Sequence, residues 1–369
     1  MTHEDYMRKA LELARKGMGF TSPNPMVGAV IVRDGEIIGT GYHKKYGDLH
    51  AERTAFAYCD ERGIDCKGAD MYVTLDPCCH HGKQPPCTEA VIAHGIKRVF
   101  VGSSDPNPLV AGKGTQILRG HGIEVTEGVL KEECDALNEI FFHFITTGLP
   151  FVTMKYAMTL DGKIACYTGE SKWITGEAAR AHVQQERLRH SAIMAGVGTV
   201  LADDPLLTCR LENGRDPIRI ICDSSLRTPL DSNIVRTAKQ VPTIIATISE
   251  DSARASEYEA AGCRIVRTVS KDGHVDLSAL MELLGSEKID SILLEGGGEL
   301  NWSALREGIV SKVQAYIAPK LFGGSGKTPV GGTGVPFPSE AFMLEKCSVT
   351  SVGEDILIES RVKNVHGNN

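Results

Sequence analysis

The chain has 369 residues, of which 42% are hydrophobic and 24% charged, and its formal net charge is −7 at pH 7. This length favours two domains over a single core, and the acidic balance argues against nucleic-acid binding, which needs a basic surface. No stretch approaches the roughly 18 apolar residues that cross a bilayer, and the charged, amphipathic start is unlike a signal peptide. We therefore expect a cytoplasmic protein with neither a nucleic-acid nor a membrane partner.

The first half alternates predicted strands and helices. Apolar alternation predicts strands at 26–32 and 36–43, joined by an Arg-Asp-Gly hairpin signal at 33–35. A helix is predicted from His50 to Gly63. The remaining predicted elements are a strand at 70–78, a helix at 88–95, a strand at 98–105, a helix ending at Gly120 or Gly122, and a strand at 123–129. Strands separated by helices favour a three-layer α/β sandwich.

The boundary between the halves is predicted at the end of a helix over 131–148. Gly148 followed by Pro150 is a helix stop, which gives domains at 1–147 and 151–366. The second half alternates again, with strands predicted at 151–158, 192–200, 218–224, 243–248, 264–269, 291–297 and 313–321, and an antiparallel pair within 342–362. The Gly-rich stretch 323–334 is predicted to be a loop.

His50, Glu52 and the thiols that begin at Cys78 follow the pattern of a zinc deaminase. In that pattern three protein ligands leave a fourth position for water, and a Glu two residues after the His is not a ligand. Zinc lowers the pKa of a bound water to roughly 7. Glu52 would accept the water proton, protonate a ring nitrogen and deliver a proton to the departing ammonia.

Two residues compete as the third ligand beside His50 and Cys78. Literal Cys-x-x-Cys spacing selects His81, whereas Cys87 comes directly before a predicted helix, whose N-terminus favours a thiolate. We favour Cys87, with Cys79 and His81 outside the ligand set. The alternative is a closed, four-ligand structural zinc site that uses Cys79 or a loop histidine. The His-x-Glu pattern argues against it, because a structural site has no need of that glutamate.

The second half carries a weaker signal for a nucleotide cofactor. No Gly-x-Gly-x-x-Gly follows its first strand, so a standard Rossmann site is not supported. Residues 291–309 read as a strand, a Gly-rich turn and a helix. Such a turn lets backbone N–H groups approach a phosphate, although a helix-capping turn gives the same pattern.

Eight motifs, in one order along the chain, carry a resemblance to a known family. They are TSPNPMVGAVIV, GYHKKYGDLHAE, VTLDPCCHHGKQPPC and DPNPLVAGKG in the first half, and MKYAMTLDGKIA, TGESKWIT, GVGTVLADDPLLTCR and LLEGGGELNWSAL in the second. With them the chain resembles the bifunctional deaminase–reductase family of riboflavin biosynthesis over nearly its whole length. The resemblance implies a cytidine-deaminase-like three-layer α/β/α domain followed by a dihydrofolate-reductase-like α/β domain, with Zn2+ and NADPH as cofactors.

The same resemblance implies a substrate and two reactions. The first half would deaminate 2,5-diamino-6-(5-phosphoribosylamino)pyrimidin-4-one, and the second would use NADPH to reduce the ribosyl group to a ribityl chain. In that reduction the ribosylamine opens to an imine, and hydride attacks C1. The expected partner is therefore a phosphorylated pyrimidine, and a homo-oligomer is expected.

The family pattern also implies site residues. It assigns the third zinc ligand to Cys87 and places substrate contacts of the deaminase on Asn24, His43 and Lys83. Its cofactor contacts fall on Ala157, Trp173, Thr199, Asp203, Ser224, Gly297, Gly298, Glu299, Leu300, Asn301, Trp302 and Ser303. Its reductase substrate contacts fall on Lys155, Ser171, Arg187, Leu207, Arg210 and Glu295, of which Arg187 and Arg210 suit a phosphate. On the residues alone, Asn24 is equally a turn residue, Arg187 a solvated helix residue and Trp173 a core residue.

The chain departs from the family pattern at two positions. Asp76 stands where the family usually has Glu, and Cys79 stands where it usually has a small hydroxyl residue. The second departure leaves alternative coordination or oxidation open at Cys79.

Three other functions remain as alternatives. A nucleic-acid editing deaminase predicts a basic face with aromatic residues, but only 6% of the residues are aromatic. A zinc-stabilised binding protein with inactive sites predicts loss of Glu52, which is present. A deaminase with a non-catalytic, ligand-binding C-terminal domain would be distinguished by a lack of NADPH binding.

Overall fold

The computed structural model describes residues 1–80, 84–107 and 112–363. The chain divides after Gly148 into two units, Met1–Gly148 and Leu149–Asn369. The division coincides with a helix stop: Gly148 ends a helix in the left-handed conformation, with φ 72°, which glycine adopts without strain.

The first unit contains six helices and five strands within the described residues. They are α1 (His3–Arg15), β1 (Gly28–Arg33), β2 (Glu36–Tyr42), α2 (Ala51–Asp60), β3 (Asp70–Leu75), α3 (Cys87–Ala93), β4 (Arg98–Ser103), α4 (Lys113–Gly120), β5 (Glu124–Glu127), α5 (Lys131–Leu137) and α6 (Glu139–Thr147). Thr2 caps α1: its side chain accepts from Asp5 N, and the Asp5 carboxylate accepts from Thr2 N, a capping box that satisfies two free backbone donors.

The strands of the first unit form one sheet in the order β2–β1–β3–β4–β5. Strand β1 is antiparallel to both neighbours, whereas β3, β4 and β5 are parallel. Helices α1 and α5 bury Met7, Leu11 and Cys134 on one face, and α2, α3 and α4 cover the other. This arrangement is the predicted three-layer α/β sandwich.

One predicted element of the first unit is wrong. The continuous helix expected over 131–148 is broken at Asn138, which has φ −107° and ψ 22° and separates α5 from α6. The Asn138 side chain accepts from Met26 N and donates to Met26 O, both at 2.9 Å. This buried pairing across 112 residues fixes Asn138 outside the helical conformation.

The second unit contains the remaining elements. They are β6 (Phe151–Thr159), α7 (Glu177–Arg189), β7 (Ala192–Gly196), α8 (Val197–Asp203), β8 (Ile218–Cys222), α9 (Asn233–Arg236), β9 (Thr243–Thr247), α10 (Ser252–Ala261), β10 (Arg264–Arg267), β11 (Ser270–Lys271), β12 (His274–Val275), α11 (Leu277–Ser286), β13 (Ser291–Leu294), α12 (Gly298–Arg306), β14 (Val310–Ala318), the 3-10 helix Pro338–Glu340, β15 (Leu344–Val352) and β16 (Asp355–Val362).

Nine of these strands form one sheet, in the order β10–β9–β8–β7–β13–β6–β14–β16–β15. Seven strands of this sheet are parallel: β10, β9, β8, β7, β13, β6 and β14. Strands β16 and β15 extend the sheet as the predicted antiparallel pair. Helices α11 and α12 pack on one face, and α8, α9 and α10 pack on the other. The carboxyl ends of the parallel strands therefore meet along one edge, where ligands bind in open α/β sheets.

The strand predicted over 192–200 is wrong in its second half. Strand β7 ends at Gly196, and Val197 begins helix α8. The run is apolar throughout, and a short apolar run does not distinguish a buried strand from a buried helix.

Candidate active sites

Three elements of the first unit bring His50, Cys78 and Cys87 together. His50 is the N-cap of α2, Cys78 follows β3, and Cys87 is the first residue of α3. His50 Nδ1 lies 3.4 Å from the Cys78 sulfur and 3.3 Å from the Cys87 sulfur, and the three candidate ligand atoms all lie within 4.8 Å of one another. One imidazole and two thiols fit zinc, with a fourth position left for another ligand.

The two thiols of this cluster shift each other's pKa. A hydrogen bond with Cys87 is the main cause that lowers the pKa of Cys78 to about 4, and His50 acts in the same direction. The same thiol–thiol contact and burial raise the pKa of Cys87 above its ordinary value. The two pKa values are therefore shifted in opposite directions by one contact, and the helix start at Cys87 is not the largest cause acting on either thiol.

Glu52 lies in the first turn of α2, beside the cluster but outside it. It is 3% exposed, and it is not among the three grouped ligands. Burial, followed by the negative charge on Cys78, raises the pKa of Glu52 to about 7. A buried carboxyl group with a pKa near neutrality can both accept and deliver a proton.

Asn24 and His43 contact each other. Asn24 Nδ2 lies 3.3 Å from His43 Nε2, and His43 Nδ1 lies 3.0 Å from the Leu49 carbonyl oxygen. A neutral His43 that donates from Nδ1 to Leu49 would accept the Asn24 amide at Nε2, and burial lowers the pKa of His43. The Asn24 carbonyl oxygen would then remain as a hydrogen-bond acceptor.

The predicted substrate contact Lys83 and the rival ligand His81 lie outside the described residues. Cys79 is described: it is half-buried and is not grouped with the three ligands. Asp76 accepts a hydrogen bond from Gly112 N at 2.9 Å through Oδ2, and its Oδ1 has no partner among the described residues. Burial raises the pKa of Asp76 to about 6.

Sequence reasoning gave no role to Asp105, which the structure places near the cluster. Asp105 follows β4, the parallel neighbour of β3, and is 8% exposed. Burial raises its pKa, and the charges of His80 and Cys78 also act on it. Its position just after a buried parallel strand was the signal that could have found it.

In the second unit, Glu295 joins two predicted substrate contacts. Its carboxylate accepts from Lys155 Nζ at 3.1 Å and from Arg187 Nε and Nη2 at 2.7 and 2.9 Å. Arg187 also donates from Nη1 to the Thr208 carbonyl at 2.9 Å. Burial raises the pKa of Glu295, but the two cations outweigh it and hold that pKa well below its usual range. The solvated-helix interpretation of Arg187 is therefore wrong.

The Gly-rich turn lies at the same edge as Lys155 and Glu295. Gly296 and Gly297 have φ 54° and 89°, and Thr199 Oγ1 donates to Gly296 O at 2.9 Å. A cavity of about 120 Å³ opens here. Its predicted lining residues are Lys155, Ala157, Glu295, Gly297, Gly298 and Asn301, and sequence reasoning missed Tyr156, Ile164, Gly296 and Pro329.

Three predicted cofactor contacts on α12 use their side chains within the protein. The Glu299 carboxylate accepts from Gly332 N at 3.1 Å, and Asn301 Nδ2 donates to Pro329 O at 2.8 Å. A side chain on Gly332 would collide with Trp302, since its Cβ would lie 2.1 Å from the indole ring. These contacts hold residues 329–332 against the start of α12. Asn301 Oδ1 is buried without a partner among the described residues.

The other predicted contacts are more dispersed. Leu300 packs on the core and Leu207 is buried, whereas Asp203 and Arg210 are exposed. Ser224 Oγ accepts from Val275 N at 3.3 Å, and Ser303 Oγ donates to Glu299 O. Ser171 is half-buried, and Trp173 is 58% exposed, so the core interpretation of Trp173 is wrong. None of these residues is among the residues that line the 120 Å³ cavity.

Fold and site together define a two-domain enzyme with a deaminase unit and a reductase unit. Residues 1–103 match the model of the cytidine and deoxycytidylate deaminase zinc-binding region, and residues 150–358 match that of the RibD C-terminal domain. The riboflavin biosynthesis protein RibD of Actinobacillus pleuropneumoniae is 56% identical, over 97% of this chain and 95% of the relative. RibD of Escherichia coli (strain K12) is 40% identical, over 97% and 99%.

Two solved structures are similar over the whole chain. The Thermotoga maritima diaminohydroxyphosphoribosylaminopyrimidine deaminase/5-amino-6-(5-phosphoribosylamino)uracil reductase is 39% identical with a TM-score of 0.85, and covers 98% of this chain and 99% of its own. Acinetobacter baumannii RibD is 35% identical with a TM-score of 0.84 and the same coverage.

The chain belongs to the RibD family of bifunctional riboflavin biosynthesis enzymes. It is a deaminase and a reductase, with a cytidine-deaminase-like first domain, a RibD reductase domain, and Zn2+ and NADPH as cofactors. These findings confirm the predicted family, fold class and cofactors, and they do not favour the three alternative functions. In the part of the chain that is described, no helix is long and apolar enough to cross a membrane.

Proposed function

We propose that residues 1–147 convert 2,5-diamino-6-(5-phosphoribosylamino)pyrimidin-4-one into its uracil by exchanging the C2 amino group for oxygen. The observation that carries this proposal is the convergence of His50, Cys78 and Cys87 within 4.8 Å, with buried Glu52 beside them. His50, Cys78 and Cys87 would hold zinc, which supplies a Lewis acid that activates water at neutral pH. Glu52 would take the proton from that water and pass it to the departing amine, while the ring carbon gains oxygen and loses ammonia.

Asn24, His43 and Lys83 would hold the substrate in this proposal. The His43 ring fixes the Asn24 amide through their 3.3 Å contact, so that Asn24 presents a defined edge to the pyrimidine. Lys83 would pair with the phosphate, as an ammonium group suits that anion.

We further propose that residues 151–366 reduce the ribosyl group of the deaminated product to a ribityl chain. NADPH supplies the hydride when it is bound. Lys155 would donate a proton to the opening ribose from its Nζ, which Glu295 holds in place through a 3.1 Å hydrogen bond. Arg210, which is exposed, would bind the phosphate. Arg187 would contribute the N–H groups that do not donate to Glu295 or to Thr208.

The cofactor and remaining substrate contacts keep the roles that the resemblance implies. Gly297 and Gly298 open α12 at a turn where backbone N–H groups can meet a phosphate. The other contacts proposed for the cofactor are Ala157, Trp173, Thr199, Asp203, Ser224, Glu299, Leu300, Asn301, Trp302 and Ser303. Ser171 and Leu207 are proposed for the substrate.

One assay tests both proposed reactions. Zinc-loaded protein is given the diaminopyrimidine with and without NADPH. We expect ammonia in both cases and NADPH oxidation only after deamination. No ammonia would refute the first proposal, and an unchanged nicotinamide absorbance in the presence of the deaminated product would refute the second.

We also propose that the chain forms a homo-oligomer through β15. This strand is the edge of the nine-stranded sheet, and it is exposed over nearly its full length. Met343, Leu344 and Val349 are 60%, 47% and 66% exposed. An exposed apolar edge strand favours pairing with another chain, and a second copy presents the same surface.

Val349→Lys is expected to lower the oligomeric state, because a charge on that face opposes pairing. Light scattering after size exclusion measures it, with Glu282→Lys on the exposed face of α11 as a control for a lysine introduced away from β15. An unchanged mass for Val349→Lys would contradict an interface at β15.

We propose the cytoplasm as the location, because each of the eleven cysteines is a free thiol.

A further inference from the structure

The segment at 171–176, here called the tryptophan segment, is held by charged side chains from three elements. Lys320 Nζ donates to Trp173 O at 3.1 Å and to Ile174 O at 2.7 Å. Arg180 Nη1 donates to Thr175 O at 2.7 Å, and Gly176 N donates to Asp355 Oδ2 at 2.7 Å. Within the described residues, no backbone-to-backbone hydrogen bond involves residues 171–175. The position of this segment therefore depends on side chains.

Lys320 is itself held firmly. It follows β14, and its carbonyl oxygen accepts from Leu160 N at 2.9 Å. The Asp161 carboxylate accepts from Phe322 N at 3.1 Å and from Gly323 N at 2.7 Å. Hydrogen bonds of Thr159 and of these two backbone amides lower the pKa of Asp161 to about 2, so this anchor stays charged at neutral pH. The backbone at Lys320 is thus held in place, and its side chain can bind the tryptophan segment from a defined position.

Lys320 lies at the edge of the sheet that carries the reductase cavity. Strand β14 is paired in parallel with β6, so that Tyr316 lies beside Ala157 and Ala318 beside Thr159. Lys155, Tyr156 and Ala157 of β6 line the cavity. The tryptophan segment is thereby tied to the carboxyl ends of the strands that form the site.

The attachment matters because the segment carries the exposed indole ring of Trp173. Its indole is 58% exposed, and the one cation–π contact described for it is the Arg180 guanidinium, 4.8 Å from the ring centre. An exposed aromatic ring at a ligand-binding edge offers a flat face to a planar ring, but only if its backbone is fixed.

We propose that Lys320 is a positioning residue of the reductase site: it fixes the backbone of the tryptophan segment and so presents Trp173 to a planar heteroaromatic ring of the bound cofactor. This inference rests on the proposed reductase function and adds to it the residue that sets the position of Trp173. Lys320 does not touch the reacting atoms, so its loss weakens binding more than it slows the chemical step.

The kinetic test compares Lys320→Met, Lys320→Arg and Lys239→Met with the wild-type chain. Lys239 is an exposed lysine just before β9, so it lies at the amino ends of the parallel strands, away from Lys320. Among the described residues its side chain has no hydrogen bond or ion pair. With the deaminated substrate, Lys320→Met is expected to raise KM for NADPH about fivefold or more and to leave kcat within about twofold. Lys320→Arg is expected to restore KM, because a guanidinium group can donate to two carbonyls. Ammonia release by the same chain is expected to stay unchanged.

A second test needs no turnover. Amide hydrogen exchange at Gly176, whose N–H donates to Asp355 Oδ2, is measured without ligands. Faster exchange is expected in Lys320→Met but not in Lys239→Met, because loss of the bonds to Trp173 O and Ile174 O lets the segment move away from Asp355. Unchanged KM together with unchanged exchange would overturn the proposal. So would equal losses of both activities with a lower Tm, because they would show general damage. If the wild-type chain does not oxidise NADPH, the proposed reductase function fails, while the exchange comparison still shows whether Lys320 holds the segment.

Discussion

At the scale of single residues, His50 and Glu52 illustrate how two residues at one helix start are placed differently. His50, the N-cap of α2, directs its ring to Cys78 and Cys87. Glu52 is in the first turn and stays outside that ligand group. The division follows from the backbone, because His50 is extended at the N-cap (φ −67°, ψ 163°) whereas Glu52 is helical.

Glu52→Gln is expected to keep zinc and to lower ammonia release by about 10²–10⁴-fold, the range that a lost general acid–base group costs. The amide preserves size but cannot accept the water proton. Ammonia release and zinc content per chain are measured together, with Glu61→Gln, at the exposed end of α2, as the control. Zinc loss in Glu52→Gln would contradict the non-ligand role.

The adjacent thiols Cys78 and Cys79 offer a matched pair. Cys78 is in the ligand group and Cys79 is not. Cys78→Ser is expected to lose zinc and deaminase activity, because a hydroxyl group is a poor zinc ligand beside imidazole and thiolate. Cys79→Ser is expected to keep both, and it restores the small hydroxyl residue that the family usually has. Zinc content after dialysis checks this, and equal losses in both variants would contradict the three-residue ligand set.

The sequence predicts this cluster better than the reductase cluster for a physical reason. The His-x-Glu and Pro-Cys patterns are local, and the chemistry of zinc restricts the residue types that can follow. Arg187 and Glu295 meet across 108 residues, and nothing in the helical stretch around Arg187 shows which of its charged residues points at the sheet. Only the packed structure reveals that Glu295 occupies two of its N–H groups.

At the scale of elements, Glu295 binds three of them together. It follows β13 and joins Lys155 of β6 to Arg187 of α7. Its side chain is 9% exposed, and those of Lys155 and Arg187 are 13% and 11% exposed. Removing one partner of such a buried group leaves uncompensated charge, which costs about 3–5 kcal/mol.

Glu295→Gln is therefore expected to lower the Tm of the second unit by roughly 10 °C at pH 7. The wild-type pKa is held below the ordinary value of 4.5. The stabilisation that Glu295 provides is thus present above pH 4.5 and is lost as the pH falls toward the folded-state pKa. The two melting temperatures are expected to converge in acid.

Calorimetry between pH 7 and pH 3 measures this difference, with Glu282→Gln on the exposed face of α11 as the control. A Tm difference between wild type and Glu295→Gln that stays constant over this range would contradict the assigned ion pair.

The two elements that the sequence fails to predict have different causes, and neither cause is visible in the local pattern. The break at Asn138 depends on a hydrogen-bond partner 112 residues away, and the end of β7 at Gly196 lies within a run that is apolar on both sides. Local pattern decides elements such as α1, with its capping box, and β16, with its turn at Gly353. It does not decide those where a distant partner or burial on all sides overrides the local preference.

At the scale of the whole molecule, the two cofactors belong to different units. All three candidate zinc ligands lie within Met1–Gly148, and the turn at 296–298 lies within Leu149–Asn369. The division of the chain into these two units could be predicted from the sequence, because the helix stop at Gly148 and Pro150 is a local pattern.

Zinc removal and NADPH addition are expected to shift different unfolding transitions. A ligand that binds only the folded state stabilises it by about 2.7 kcal/mol at a hundredfold excess over its Kd. A chelator should therefore lower the Tm of the first unit alone, and NADPH should raise the Tm of the second alone. Calorimetry resolves the transitions, and each is assigned by the activity lost on heating. If either treatment moved both transitions together, the two units would unfold as one cooperative body, and the assignment of one cofactor to each unit could no longer be read from stability.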